Sequence, residues 1–279
     1  MNEPLHRPEN ARADCDDEGA ARRRQAAALA AVWQRLSPRL ALSAARARSH
    51  VTLRAADMAR VPVGRDGGLV RTAYQRNDEA ARPGTPTRIR LVDLPPGARL
   101  ELPIDAAADT ACLVLAGQAE IGGVSCATHD YQQRGAGGSR LLLASARGAR
   151  VMLREAVSVE REAGAGAAGI CTARASGMPW VLLADGISRR LLAPPHGGAA
   201  AYLVRMAAGS AVAAHRHRHD EECLLIDGEM HLDDMLLFGG DFQLAHAGGM
   251  HHAASSERGA LLCVHGDLEL DCIGPGPRR

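Results

Sequence analysis

Lysine is absent from this chain of 279 residues, and all 33 of its basic residues are arginines. They are matched by 32 acidic residues, leaving a formal charge of +1. No net field of either sign points to nucleic acid or an anionic membrane surface as partner. The missing lysine accompanies an excess of alanine and glycine, which reads as a coding bias rather than a functional choice. Aromatic residues are only 3% of the chain, so Leu, Val and Ile must carry the core. The cysteines are odd in number and scattered (Cys15, Cys112, Cys126, Cys171, Cys223, Cys263, Cys272), with no CxxC among them. That argues against a disulfide framework and for a reducing compartment. Several lie in apolar runs such as ACLVL and ECLLI, where a buried thiol is expected. The N-terminus lacks an apolar run of the secretory kind. No uncharged stretch approaches the roughly 20 residues that cross a bilayer. The expectation is a cytoplasmic protein with no membrane partner.

What is present begins with a polar stretch to about residue 24, expected to be disordered. RQAAALAAVWQRL, Arg24 to Leu36, places Leu29, Val32, Trp33 and Leu36 at helical spacing. Pro38 is expected to interrupt this helix, and RLALSAARARSH to form a second short one. From Val51 onward, short apolar runs are separated by Gly, Pro, Asp and Asn at strand-and-turn spacing, which predicts a mainly β sandwich or barrel. A Gly/Ala-rich stretch, REAGAGAAGICTARASGM, divides two such sets. The sets look like copies. RLVDLPPGARLEL aligns with YLVRMAAGSAVAA at an offset of 112, CLVLAGQAEI with CLLIDGEMHL at 111, and DYQQRGAGGSR with DFQLAHAGGMH at 111. One single-residue gap therefore relates the segments, as an internal duplication would.

The segment GSAVAAHRHRHDEECLLIDGEM carries the chemistry. His215 and His217 are two apart, so in a strand both imidazoles face one side. Glu221 follows after room for a bend, and Asp227-Gly228 reads as a turn between antiparallel strands. Some thirty residues on, GGDFQLAHAGGMHH adds further histidines after a Gly-rich turn.

Gly209-(five residues)-His215-Arg-His217-(three)-Glu221-(six)-Gly228 resembles the first motif of the cupin superfamily, G(X)5HXH(X)3-4E(X)6G, at every fixed position. Gly240-(five)-His246-Ala-Gly248-(two)-His251 resembles the second, G(X)5PXG(X)2H(X)3N, with His246 replacing the proline and Ser255 the asparagine. The resemblance implies two tandem jelly-roll (double-stranded β-helix) barrels behind a short helical N-terminal segment. It implies His215, His217, Glu221 and His251 as ligands of one divalent ion. His219 is set aside because Asp220 and Glu221 suggest that the strand ends there. Glu222 would leave five residues before Gly228 rather than six. His252 would face away from His251, and His231, His246 and His265 carry no assigned role. In the first copy the corresponding positions are Pro103, Asp105, Thr110 (beside Asp109) and Arg140, with no imidazole, so a metal-free barrel is expected there. The expected boundaries are 1–48 for the tail and helices, 49–158 for the metal-free barrel, 159–177 for a linker and 178–273 for the metal-binding barrel.

Within cupins the chain resembles the ChrR cupin-like family. The features are the acids after HxH, the LLIDGE strand, and the 36 residues from His215 to His251. That family implies a zinc-binding regulatory or sensing module, related to the C-terminal cupin of zinc anti-sigma factors. Their N-terminal HxxxCxxC zinc motif is missing here: Cys15 is alone, and His6 and His50 have no paired cysteines. Three imidazoles and one carboxylate suit zinc, and also Fe(II), Mn, Ni and Cu. The alternative is an Fe(II)-dependent dioxygenase acting on a small diketone or hydroxyacetophenone, with the same four ligands; whether the chain is an enzyme stays open here. No catalytic residue beyond the ligands is identified. A homo-dimer and a regulatory protein partner are expected, with no direct nucleic-acid contact.

Overall fold

The computed structural model describes residues 10–76, 86–157, 169–196, 199–269 and 271–272. Two compact units are present, residues 1–48 and 49–279. The first is built from one helix, α1 (Asn10–Ser49). It starts well before Arg24 and runs through Pro38, where a break was expected. A proline inside a helix costs about 3 kcal/mol, but the Ala and Arg on both sides are strong helix formers. Ser37 Oγ also donates to the Trp33 carbonyl at 2.7 Å, and Arg35 Nε to that of Ala31 at 3.2 Å. Leu29, Val32, Trp33 and Leu36 are exposed. Of the stretch to about residue 24 expected to be disordered, 1–9 lie outside the described residues and the rest is helical; 159–168 of the expected linker also lie outside the described residues.

The second unit is built from strands. β1 (His50–Leu53), β2 (Arg60–Val63), β3 (Gly68–Arg76), β4 (Thr87–Leu94) and β5 (Arg99–Pro103) come first. β6 (Ala108–Ile121), β7 (Val124–Ala127), β8 (Tyr131–Arg134), β9 (Arg140–Ala144) and β10 (Ala149–Val157) follow. Then come β11 (Cys171–Ala173), β12 (Val181–Ala184), β13 (Ile187–His196), β14 (Ala199–Met206), β15 (Ser210–Val212) and β16 (His215–Arg216). β17 (Glu221–Leu232), β18 (Met235–Phe238), β19 (Phe242–Ala245), β20 (Met250–His251), β21 (Ala254–Ser256), β22 (Ala260–Asp267) and β23 (Asp271–Cys272) complete the order.

Two antiparallel sheets run in matching order, β11-β8-β6-β10-β4-β3-β2 and β1-β19-β17-β22-β14-β13-β12. β4 and β14 begin 112 residues apart, and β7 and β18 begin 111 apart. The duplication read from the sequence is thus repeated in the strands. Each half also lends a strand to the other. β1 pairs with β19 (His50↔Ala245), although it lies in the stretch assigned to the first barrel. β11 pairs with β8 (Ala173↔Tyr131), although it lies in the expected linker. Each lent strand occupies the end of the other half's sheet, where β8 or β19 would otherwise present unpaired backbone groups.

Alternation along the strands separates two packing surfaces. On β6, Cys112 and Val114 point into the first barrel, while Leu113 and Leu115 join a core shared with Leu203, Leu224, Phe242 and Leu244 of the second. The two barrels therefore sit back to back. Two ion pairs span their junction: Arg154 with Glu222 at 2.6 and 3.0 Å, and Arg76 with Asp220 at 2.6 Å.

Asp227-Gly228 is not the expected turn. β17 continues through it, with a register shift between Leu225 and Asp227. Gly228 has φ +81, and a Cβ there would lie 2.1 Å from the Gly259 carbonyl. Glycine is needed because the strand bends against its neighbour, and Gly117 does the same in the first copy, 2.3 Å from Gly148 O. The turn itself falls between β17 and β18, where Asp233 has φ 54.

Candidate metal centre

Two strand pairings and a pair of backbone hydrogen bonds assemble the site. β16 pairs with β20, setting His215 opposite His251. The backbone then locks His217 in place: its N–H donates to Gly249 O at 3.0 Å, and its carbonyl accepts from Gly248 N at 2.8 Å. Glu221 opens β17 and lies opposite Ala245. The rings of His215 and His217 are 5.0 Å apart, those of His215 and His251 5.4 Å, and those of His217 and His251 4.8 Å. One donor atom from each of His215, His217, Glu221 and His251 lies within 4.8 Å of all the others.

Hydrogen bonds and burial prepare these groups to donate lone pairs. His215 Nδ1–H donates to the Ala213 carbonyl at 2.8 Å, which leaves Nε2 as the lone-pair nitrogen. His217 is 1% exposed, and neither of its ring nitrogens has a hydrogen-bond partner among the described residues. A buried imidazole left this way is costly unless something else meets it. A cation at the convergence point would, so the donor set fits a metal ion. Burial, reinforced by the neighbouring His215, pushes His217 down to about 4. Burial also lowers His215. Both are therefore neutral near pH 7. Burial, with the negative Asp267 nearby, pushes Glu221 up to about 8. A cation beside it would reverse that preference.

Gly266 makes room for Glu221. A Cβ on Gly266 would lie 2.9 Å from Glu221 Cγ and 3.3 Å from its Cα. In the first barrel the aligned residue is Glu155, opposite Thr110, which stands where Glu221 does. Glu155 is 2% exposed and accepts from Arg88 (2.8 and 2.7 Å), Arg90 (2.8 Å) and the Asp105 amide (2.9 Å). An arginine cage holds a carboxylate there. Asp105 Oδ1 accepts from the Ala107 amide, and Arg140 pairs with exposed Glu101 at 3.3 Å, so those two do not meet each other.

The remaining histidines fall into place around this centre. His219 Nδ1 lies 2.6 Å from Asp267 Oδ1, outside the cluster. His246, in the motif's proline position, contacts Arg76 at 3.4 Å and Asp220 at 3.7 Å. His252 is exposed, and His231 lies 3.8 Å from Glu229. His265 is half-buried; burial and then Arg154 lower it to about 4. Glu222 points to the opposite side of β17 from Glu221, onto Arg154.

Three neighbours of the centre carried no signal in the sequence. His50, on the lent strand β1, is 8% exposed and sets its ring 4.8 Å from that of His251. Gln243 and Gly266 are the others. Finding His50 required knowing that β1 crosses to the second barrel. A cavity of about 100 Å³ lies beside the four residues, lined by His215, Glu221, His251, Gln243 and mainly apolar side chains.

Residues 170–269 match the family model described as the ChrR cupin-like domain. The C-terminal half carries a ChrR cupin-like domain. Solved cupin-fold structures resemble about four fifths of the chain. A candidate dioxygenase of Nostoc punctiforme matches at TM-score 0.61 and 16% identity, over 82% of this chain and 88% of that one. The oxalate decarboxylase of Lactobacillus farciminis, solved with formate, matches at 0.59 and 14%, over 79% and 87%. A Bacillus subtilis oxalate decarboxylase variant matches at 0.58 and 14%, over 80% and 78%. At these identities the likeness is one of fold. No curated protein matches the chain by sequence. The cupin domain takes β1, which lies outside the matched segment, to complete its sheet.

Proposed function

We propose that this chain is a metal-binding double cupin whose C-terminal barrel holds one divalent ion, zinc first, as a regulatory or sensing module of the ChrR type. The observation that carries this reading is the convergence of three imidazoles and the Glu221 carboxyl group, donor atoms within 4.8 Å, with His217 buried, its ring nitrogens without a hydrogen-bond partner among the described residues and its Nδ1 3.5 Å from Glu221 Oε2. His215, His217, Glu221 and His251 would hold the ion. Zinc bound by four side chains closes its shell and ties strands together without chemistry of its own. Gly266 would set the position of Glu221, and the His215–Ala213 hydrogen bond the orientation of that imidazole. The five cysteines whose side chains are described are free thiols, which accords with a cytoplasmic setting. No described helix is long and apolar enough to cross a membrane. The exposed Leu29, Val32, Trp33 and Leu36 on α1 support a regulatory protein partner or a homo-dimer.

The cavity beside the four ligands favours a second reading, an Fe(II)-dependent dioxygenase acting on a small diketone or similar molecule. Metal analysis of protein purified without added metal separates the two readings when followed by O2 consumption with Fe(II) and a panel of β-diketones. Stoichiometric zinc without turnover supports the module. Oxygen uptake that His217→Ala abolishes supports the enzyme.

A further inference from the structure

The two copies of the barrel use the same glutamine differently. Gln132 and Gln243 stand 111 residues apart, each opposite a cysteine of the central strand: Cys112↔Gln132 and Cys223↔Gln243. A threonine on each lent strand faces them, Thr172↔Gln132 and Thr52↔Gln243. In the first barrel Gln132 Nε2 donates to Ile121 O and to Thr172 Oγ1, both at 3.3 Å. In the second, Thr52 Oγ1 turns instead to Met235 Sδ at 3.9 Å. Gln243 Nε2, on a residue 2% exposed, has no hydrogen-bond partner among the described residues. Other polar groups lining the same cavity are engaged within the protein: Tyr202 Oη donates to Asp267 O at 2.7 Å, and Arg189 donates to the Leu268 carbonyl.

We infer that Gln243 is the recognition group of a binding pocket inside the second barrel, and that its amide donates to an acceptor oxygen on a small neutral ligand. This rests on the cupin site described above and names what that site admits. The remaining walls are largely apolar, with Val212, Met230, Leu232 and Leu262 among them, so they reward no further polar groups. A cavity of about 100 Å³ holds one small organic molecule rather than an extended one. The ligand class is a compact, uncharged molecule whose carbonyl faces Gln243. A buried donor without a partner lowers stability, so a chain that needed only the fold gains nothing by withholding the threonine that accepts from its twin's amide nitrogen.

The test uses the full chain, labelled with ¹⁵N-glutamine and titrated with pentan-3-one, with cyclopentane as the control lacking an acceptor. The expected result is that pentan-3-one moves the Gln243 side-chain amide resonance and cyclopentane does not. Gln243→Leu and Gln243→Met should bind the ketone roughly five-fold more weakly, the effect of one hydrogen bond. Both variants should melt no lower than the parent, whereas Gln132→Leu should melt lower. An amide resonance indifferent to the ketone, or equal ketone affinity in parent and variants, overturns the inference. Because the resonance is read in the parent protein, a variant that fails to fold leaves the test intact. Zinc content measured on the same samples keeps the two claims apart. A ketone response in protein that takes up no zinc removes the metal reading and leaves the pocket. Stoichiometric zinc without a ketone response does the reverse.

Discussion

Gly266→Ala isolates the geometry of Glu221 from everything else in the barrel. Gly266 does not adopt a left-handed backbone conformation, so alanine adds no torsional strain there. The new methyl would meet Glu221 Cγ at 2.9 Å, Cβ at 3.1 Å and Cα at 3.3 Å, against ordinary contacts of 3.4–4 Å. The carboxylate arm could swing, but the Cα is part of a central strand and yields little. Forcing one methyl group into such a packed position costs about 1–3 kcal/mol. For a domain of this size each kcal/mol lowers Tm by about 2–4 °C, so a fall of roughly 2–12 °C is expected. Displacing one of four ligands by a fraction of an ångström should weaken zinc binding about 10–100-fold, the range seen when groups that position a ligand are altered. Zinc affinity would be read by competition with a chromophoric chelator, and Tm by calorimetry on metal-free and zinc-loaded protein. Gly138→Ala is the control, since its methyl would meet only Ile104 Cδ1 at 3.7 Å. Unchanged zinc affinity in Gly266→Ala would refute the claim that Glu221 is held to its position by the space that glycine leaves.

Further predictions concern the barrel junction and the protons of the site. Glu222→Leu strands the Arg154 guanidinium at the junction and should cost about 3–5 kcal/mol in urea unfolding, while Arg154→Met combined with Glu222→Leu should recover most of it. In metal-free protein, Glu221 titrates near 8 when folded and near its ordinary value of 4.5 when unfolded. The folded state therefore binds the extra proton, and this contribution to stability is lost as pH rises through about 8. His217, shifted to about 4, acts oppositely, but only below its ordinary 6.5. Between pH 6.5 and 8.5 the Tm of metal-free protein should thus fall, and zinc uptake at pH 7 should release about one proton, as calorimetry in buffers of different ionisation enthalpy would show.

Much of this candidate site could be read from spacing because its four residues obey local rules. His215 and His217, two residues apart, turn their rings to one centre, and alternation along β17 turns Glu222 away from Glu221. The 111-residue offset likewise survives folding, since each copy repeats one strand order. What escaped the sequence depends on distant pairing or on the surroundings of one atom. His50 reaches the centre only because β1 crosses to the other barrel, and no local pattern encodes a partner almost two hundred residues away. Gln243 resembles Gln132 in sequence, and they differ in which groups their amide nitrogens meet. Asp227-Gly228 has turn composition, but its glycine serves a close approach to Gly259. Pro38 carries a helix-breaking signal that the helix formers around it outweigh.

The most direct measurement is the zinc-to-protein ratio of the full chain after loading and exhaustive removal of free metal, compared with that of His217→Ala. The account predicts one zinc per chain in the parent and essentially none in the variant. The same ratio in both proteins would contradict it.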